Sequence, residues 1–223
     1  MTTQIQQLKN KLKDLNIKGL ALDIDETLSD TGPHWFEHML NFHNPEKMSK
    51  EEVMEQYQFI EDVPHWKTEE ATKHMEETLH SNDFNEAIPL IEGADKAVQE
   101  INEIIPIIAY ITARPGTVRQ GTLTWLKKHH FPEADLITRG VDIPLEEFNL
   151  NKNKWKAEIL CELFPEIIGI VDDNPVLAHQ LEKLGYKGTL YLYGKESSEF
   201  KNKEGILVCP TWRDVVDSIK NEG

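Results

Sequence analysis

Hydrophobic and polar positions along the chain follow two different rhythms. Short apolar runs at 19–23, 107–112, 135–138, 167–171, 189–193 and 206–208 are bounded by Gly, Pro, Asn or Asp, as buried strands are. Between them, apolar residues recur every three or four positions, the spacing of one helix face. Ile5, Leu8, Leu12 and Leu15 form one such stripe at 4–15. Others run over 94–104, 116–129, 154–163, 175–184 and 211–220, the fourth stopped by Gly185. Strands that alternate with helices predict an α/β protein with a Rossmann-like parallel sheet flanked by helices and right-handed crossovers.

The rhythm breaks once. From residue 29 to about 88 no strand pattern occurs, and Pro33, Pro45 and Pro64 punctuate a polar stretch rich in His, Glu, Met and Trp. Helices are expected at 34–42, 49–60 and 68–79, with Ser49 and Thr68 as N-caps ahead of acidic first turns. The expected organisation is therefore a core domain of residues 1–28 and 89–223 with a small inserted helical cap domain at 29–88. Within the cap, Trp35, Phe36, Phe42, Tyr57 and Phe59 read as its own core.

Charge narrows the partners. The 223 residues carry 24 Lys and Arg against 39 Asp and Glu, a formal net charge of −15. Such acidity argues against nucleic-acid backbones and anionic membranes, and demands local positive charge wherever an anionic substrate docks. Cys161 and Cys209 lie in apolar stretches and read as reduced, buried thiols. With no apolar leader at the N-terminus and no run long enough to span a bilayer, the chain reads as soluble and cytoplasmic. The oligomeric state is not legible.

The candidate chemistry sits at the ends of three apolar runs. The first ends in Asp23-Ile24-Asp25-Glu26-Thr27, the second in Thr112-Ala113-Arg114-Pro115, the third in Asp172-Asp173-Asn174-Pro175. Parallel strands deliver their carboxyl ends to one edge, where ligands bind, so the three ends should meet in one acidic, hydroxyl-lined crevice. Asp23 and Asp25, two apart in a strand, should share a side. Like charges so close call for a cation or a shared proton, and Mg²⁺ suits carboxylates that face a substrate phosphate. The plain alternative is an exposed Asp-rich loop. Thr27 either contributes to the site or caps the turn. Arg114 either binds a substrate anion or pairs with an acid. His34 and His38 have a ligand-compatible spacing, but no finger or HExxH pattern surrounds them, and ordinary cap roles fit them better. Neither GxGxxG nor GxxxxGK[ST] occurs.

The set resembles the haloacid dehalogenase-like (HAD) phosphohydrolases over nearly the whole chain. Asp23-x-Asp25-x-Thr27 matches their first motif, Thr112 their second and Asp172-Asp173 their fourth. The resemblance implies a helical cap that closes over the site and selects the substrate. It implies Asp23 as nucleophile and Asp25 as general acid and base. It implies phosphate contacts from Thr112, Ala113 and Arg114. It also implies a third-motif lysine at the start of the helix before the fourth motif. Of Lys128, Lys152, Lys154 and Lys156, Lys154 fits that place, with Lys152 second. Metal contacts fall to Asp23, Asp25 through its backbone carbonyl, and Asp172 or Asp173. The acid role expects a raised pKa at Asp25 from its carboxylate neighbour. The expected function is Mg²⁺-dependent hydrolysis of a small phosphorylated metabolite through an aspartyl-phosphate. The helical insert, the Asp-Asp pair and the terminal Thr211-Trp212-Arg213-Asp214-Val215 segment resemble the 5′-nucleotidase-like members, which makes a nucleoside monophosphate one candidate substrate beside sugar phosphates and small phosphoglycolate-like acids. A phosphomutase, or a module that only binds phospho-ligands, is the alternative.

Overall fold

The computed structural model describes residues 3–140 and 151–222. Its sheet has six strands: β1 (Gly19–Leu22), β2 (Ile107–Pro115), β3 (Asp135–Arg139), β4 (Ile167–Asp172), β5 (Thr189–Tyr193) and β6 (Ile206–Cys209). Their order is β3-β2-β1-β4-β5-β6 and each neighbouring pair is parallel. This is the expected α/β, Rossmann-like sheet. The chain builds outward from β1 through β2 to β3, then returns to β4 on the other side of β1. That reversal makes the carboxyl ends of β1 and β4 the switch point, where open α/β sheets bind ligands.

Both sheet faces are covered, which explains why the strands read as unbroken apolar runs. One face packs against α1 (Thr3–Asp14), α8 (Lys152–Leu163) and α9 (Pro175–Leu184), through Leu8, Leu12, Leu160, Leu163 and Leu177. The other packs against α6 (Ala94–Ile104), α7 (Arg119–Lys128) and α10 (Trp212–Glu222), through Val98, Ile101, Trp125, Val215 and Ile219. Alternation sends Ala21 and Ile170 to the first face and Leu20, Leu22 and Val171 to the second. Gly19 starts β1 where a Cβ would lie 2.1 Å from the Pro106 carbonyl, so no larger residue fits that crossing.

The insert forms its own apolar cluster. Helices α2 (Thr31–Phe42), α3 (Lys50–Gln56) and α4 (Glu69–Leu79) enclose Phe36, Met39, Val53, Val63, Trp66, Ala71 and Met75. Ser49 and Glu52 form a reciprocal capping box at α3, and Thr68 caps α4. Helix α3 is shorter than its pattern suggests, because Tyr57 turns extended and a 3-10 turn follows at Ile60–Asp62. Of the five cap aromatics, Phe36 lies within the cluster and Trp35, Phe42 and Tyr57 pack against it, whereas Phe59 is 56% exposed. A helix absent from the sequence reading, α5 (Asn82–Ala87), returns the chain to the core. Asn82 accepts from the Gly121 N–H at 2.6 Å, and a Cβ at 121 would stand 2.4 Å from the Asn82 carbonyl. Helix α5 thus lies tight against α7.

Because the cap cluster is separate from the two sheet clusters, Trp66→Ala should unfold the cap locally. Loss of a fully buried Trp costs about 3–5 kcal/mol. Hydrogen exchange should show amides of α2–α4 losing protection while β1, β2 and β4 keep theirs. Equal loss in cap and sheet would mean one cooperative unit.

Candidate active site

Strand ends carry the site, as the sheet order requires. The Asp23 N–H donates to the Val171 carbonyl at 2.9 Å, so β1 hands its first acid over beside the end of β4. There Asp23 and Asp172 are 6% and 0% exposed. Together with Asp173 they bring three carboxylate oxygens within 4.8 Å of one another. Among the described residues these three form the group of acids, histidines or cysteines placed to share a metal ion.

A buried cation enters this cluster from the protein. Lys156, 4% exposed, sits 2.9 Å from Asp23 Oδ1 and 2.6 Å from Asp172 Oδ2. Two carboxylates outweigh the burial that would discharge it, and its pKa lies above the usual lysine value. Lys154, expected in this role, is instead 58% exposed at its side chain and faces Glu158 at 3.8 Å on the helix surface. The physical reason is helix phase. The buried stripe of α8 runs Lys156, Ile159, Leu160 and Leu163, and Lys154 lies about 160° away from it around the axis. Lys152, one turn before Lys156, shares the stripe side and acts on Asp173. A lysine in phase with the apolar stripe was the signal available in the sequence.

One lysine does not neutralise three acids. Burial raises the pKa of Asp23, against the pull of Lys156, and Asp172, Asp25 and Asp173 push it the same way as burial. Burial and Asp172 bring Asp173 up to about 7. A site that leaves its carboxylates this costly to ionise, with hard oxygen donors alone, fits a divalent cation of the Mg²⁺ type. Asp172 has both oxygens engaged, Oδ2 with Lys156 and Oδ1 with the Asn174 N–H at 2.9 Å. Asp173 meets Lys195 only at 3.9 Å and is 17% exposed at its side chain. Asp23 and Asp173 are thus the carboxylates best placed to hold a metal, with Asp172 orienting Lys156.

Asp25 stands apart from that cluster. Its carboxylate receives the Arg114 guanidinium, with Nη2 2.7 Å and Nε 3.0 Å from Oδ1 and Nε 3.2 Å from Oδ2. Thr31 donates to Oδ1 at 2.8 Å and Thr112 to Oδ2 at 3.1 Å. Burial alone would raise its pKa, but the Arg114 charge and these hydrogen bonds reverse the sign and lower it. The raised value expected from a carboxylate neighbour is therefore not found, because the guanidinium lies closer than the other acids. Only the Asp25 backbone carbonyl is left for the metal role, since its side chain is committed elsewhere. Arg114, 3% exposed, is likewise an acid's partner in this arrangement and not an open anion receptor. Thr112 is fully buried, and its hydroxyl also accepts from the Arg114 N–H at 3.2 Å. Ala113 is half-buried between them.

The loop after Asp25 links site and cap. Glu26 adopts a left-handed φ of 59° and its carboxylate accepts from the Gly32 N–H in the first turn of α2 at 2.5 Å. The buried Thr27 hydroxyl has no hydrogen-bond partner among the described residues. His34 and His38 remain cap residues. His38 Nε2 lies 2.8 Å from His74 Nε2 and 3.1 Å from Thr78 Oγ1.

No family model matches the chain. Among curated proteins it is 27% identical, over 203 residues, to a protein of Oceanobacillus iheyensis named as a putative nucleotidase, covering 89% of this chain and 97% of that one. Among solved structures it matches one described as a putative beta-phosphoglucomutase from Thermotoga maritima, at a TM-score of 0.56 and 16% identity, over 92% of this chain and 99% of that chain. The likeness to that solved structure is one of fold, a parallel sheet flanked by helices.

The two lysines of α8 separate in stability. Lys156→Gln leaves buried acids unpaired and should cost about 3–5 kcal/mol. Lys154→Gln removes an exposed pair worth under about 1 kcal/mol. Urea titration of both variants checks this, and equal effects would contradict the assignment.

Proposed function

We propose that this chain is a Mg²⁺-dependent phosphomonoester hydrolase that works through an aspartyl-phosphate at Asp23. The observation that carries the reading is the pairing of Asp23 with buried Lys156 at the switch point of the sheet, beside Asp172 and Asp173. A carboxylate there can accept a phosphoryl group and later yield it to water. Lys156 offsets the negative charge that collects as the phosphate approaches Asp23. Asp172 fixes the ammonium, since its Oδ1 is itself tethered by the Asn174 N–H. Asp23, Asp173 and the Asp25 carbonyl would hold the metal, which when bound supplies charge neutralisation and orientation at the phosphoryl oxygens.

Asp25 is the proton carrier. Its carboxylate is not among the three clustered acids and keeps 28% of its side chain exposed. It gives a proton to the leaving oxygen in the first half-reaction and takes one from the attacking water in the second. An acid at this place disfavours a dehalogenase reading, because attack on carbon needs no proton for an alkoxide. Thr112 and the Ala113 backbone close the crevice on the β2 side.

For substrate we take a small phosphorylated metabolite, with nucleoside monophosphates first. The name of the Oceanobacillus relative supports this. Helix α2, whose Thr31 touches Asp25, sets His34 and Trp35 about one turn further on, where both rings pack against Phe84.

Phosphate release from nucleoside monophosphates should require Mg²⁺, stop with EDTA and fall at least about 10⁴-fold in Asp23→Asn. Substantial activity in that variant would sink the covalent route. Mg²⁺ should also raise the melting temperature of the wild type, by the equivalent of about 2.7 kcal/mol at a hundredfold excess over Kd. Asp173→Asn should abolish the rise, and an unchanged rise would remove Asp173 from the metal set.

A further inference from the structure

Helices α2 and α4 of the cap meet through two histidines that the hydrolase reading does not use. His38 of α2 and His74 of α4 bring their Nε2 atoms to 2.8 Å, with the rings parallel to within 2°. Thr78, one turn beyond His74 on α4, sets its Oγ1 3.1 Å from the same His38 Nε2. Aromatic rings pack around the pair. Phe42, one turn past His38, lies over His74 with ring centres 3.9 Å apart and planes 7° apart. Phe84 of α5 meets His38 edge-on at 5.0 Å. Both imidazoles are therefore held by packing as well as by their mutual bond.

That bond has a fixed proton requirement. An imidazole nitrogen either donates or accepts, so two Nε2 atoms bond only when one proton lies between them. The neutral pair meets the requirement in either tautomeric order. A pair with one extra proton meets it too, because that proton can settle on an Nδ1. With both rings protonated, two N–H donors face each other at 2.8 Å and attraction becomes repulsion. Burial opposes the protonation of His38, and so do the charges of His74 across the bond and of His34 one turn earlier on α2. Helix α5 faces His38 with an uncharged ring, and Lys73 and Glu77 of α4 pair with each other at 3.9 Å on the exposed surface.

We propose that His38 and His74 form a proton-operated clamp inside the cap, closed while a single proton bridges their Nε2 atoms and released when both rings are charged. The clamp works whether or not the site below hydrolyses phosphate. A histidine whose pKa is lowered in the closed cap, below the ordinary 6.5, binds fewer protons there than in the open one. Closure therefore gains a stability that is present above that pH and fades as pH falls through it. Release loosens α2, whose first turn reaches the site through the bond from Thr31 to Asp25.

Hydrogen exchange on the full chain at about pH 7.5 and about pH 5, corrected for intrinsic rates, tests the clamp. Amides of α2 and α4 should lose about tenfold in protection at the lower pH, the scale of one hydrogen bond, while those of β5 and β6 hold theirs. His74→Gln separates the proton from the packing. A glutamine amide can donate or accept, so it serves His38 in either charge state. In that variant the acid loss should shrink to under about twofold, with protection at the higher pH kept. His38→Gln should behave alike, and it stands in if His74→Gln does not fold. An acid loss as large in the glutamine variants as in the wild type would overturn the clamp. So would a wild-type loss that is absent, or shared equally by β5 and β6. A wild type inactive on every phosphate ester would remove the hydrolase reading and leave this test unchanged.

Discussion

Burial of like charges is the constraint on which the rest of this structure depends. Asp23 and Asp172 end adjacent parallel strands, and the sheet order leaves them no other place. Two carboxylates buried this deeply would neutralise or unfold their surroundings if unpaired. Lys156 answers both at once, from a helix packed on the face below them. It is one charge between two of the three acids, and Asp173 meets Lys195 only at 3.9 Å, an arrangement that fits a divalent cation. On the proposed reading the same deficit is the source of the chemistry, with Asp23 the carboxylate that receives the phosphoryl group.

Around this centre the molecule separates its acids by partner. Asp23 and Asp173 face the proposed metal position, Asp172 holds the lysine, and Asp25 belongs to Arg114. Two carboxylates one residue apart thus acquire opposite pKa shifts, upward for Asp23 by burial and downward for Asp25 by the guanidinium. The cap enters through the same loop, since Thr31 and Gly32 in the first turn of α2 bond Asp25 and Glu26.

Much of this was legible beforehand, for physical reasons. Strands buried on both faces leave continuous apolar runs, and their carboxyl ends must coincide, so Asp23, Thr112 and Asp172 could be gathered from spacing alone. Helix phase is legible too: Lys156 lies on the apolar stripe of α8 and Lys154 does not. Other features had no local signature. The Arg114–Asp25 fork spans 89 residues, and nothing near Arg114 distinguishes a substrate ligand from an internal partner. Helix α5 is six residues long and takes its place from close packing on Gly121, a contact no periodicity encodes.

The central claim is that Asp23 becomes covalently phosphorylated. Its most direct test is an acid quench of a single turnover with Mg²⁺, followed by peptide mass analysis. The account predicts a transient gain of one phosphoryl group on the peptide containing Asp23, labile to hydroxylamine. Turnover with no adduct at any time, or an adduct on another residue, would contradict it.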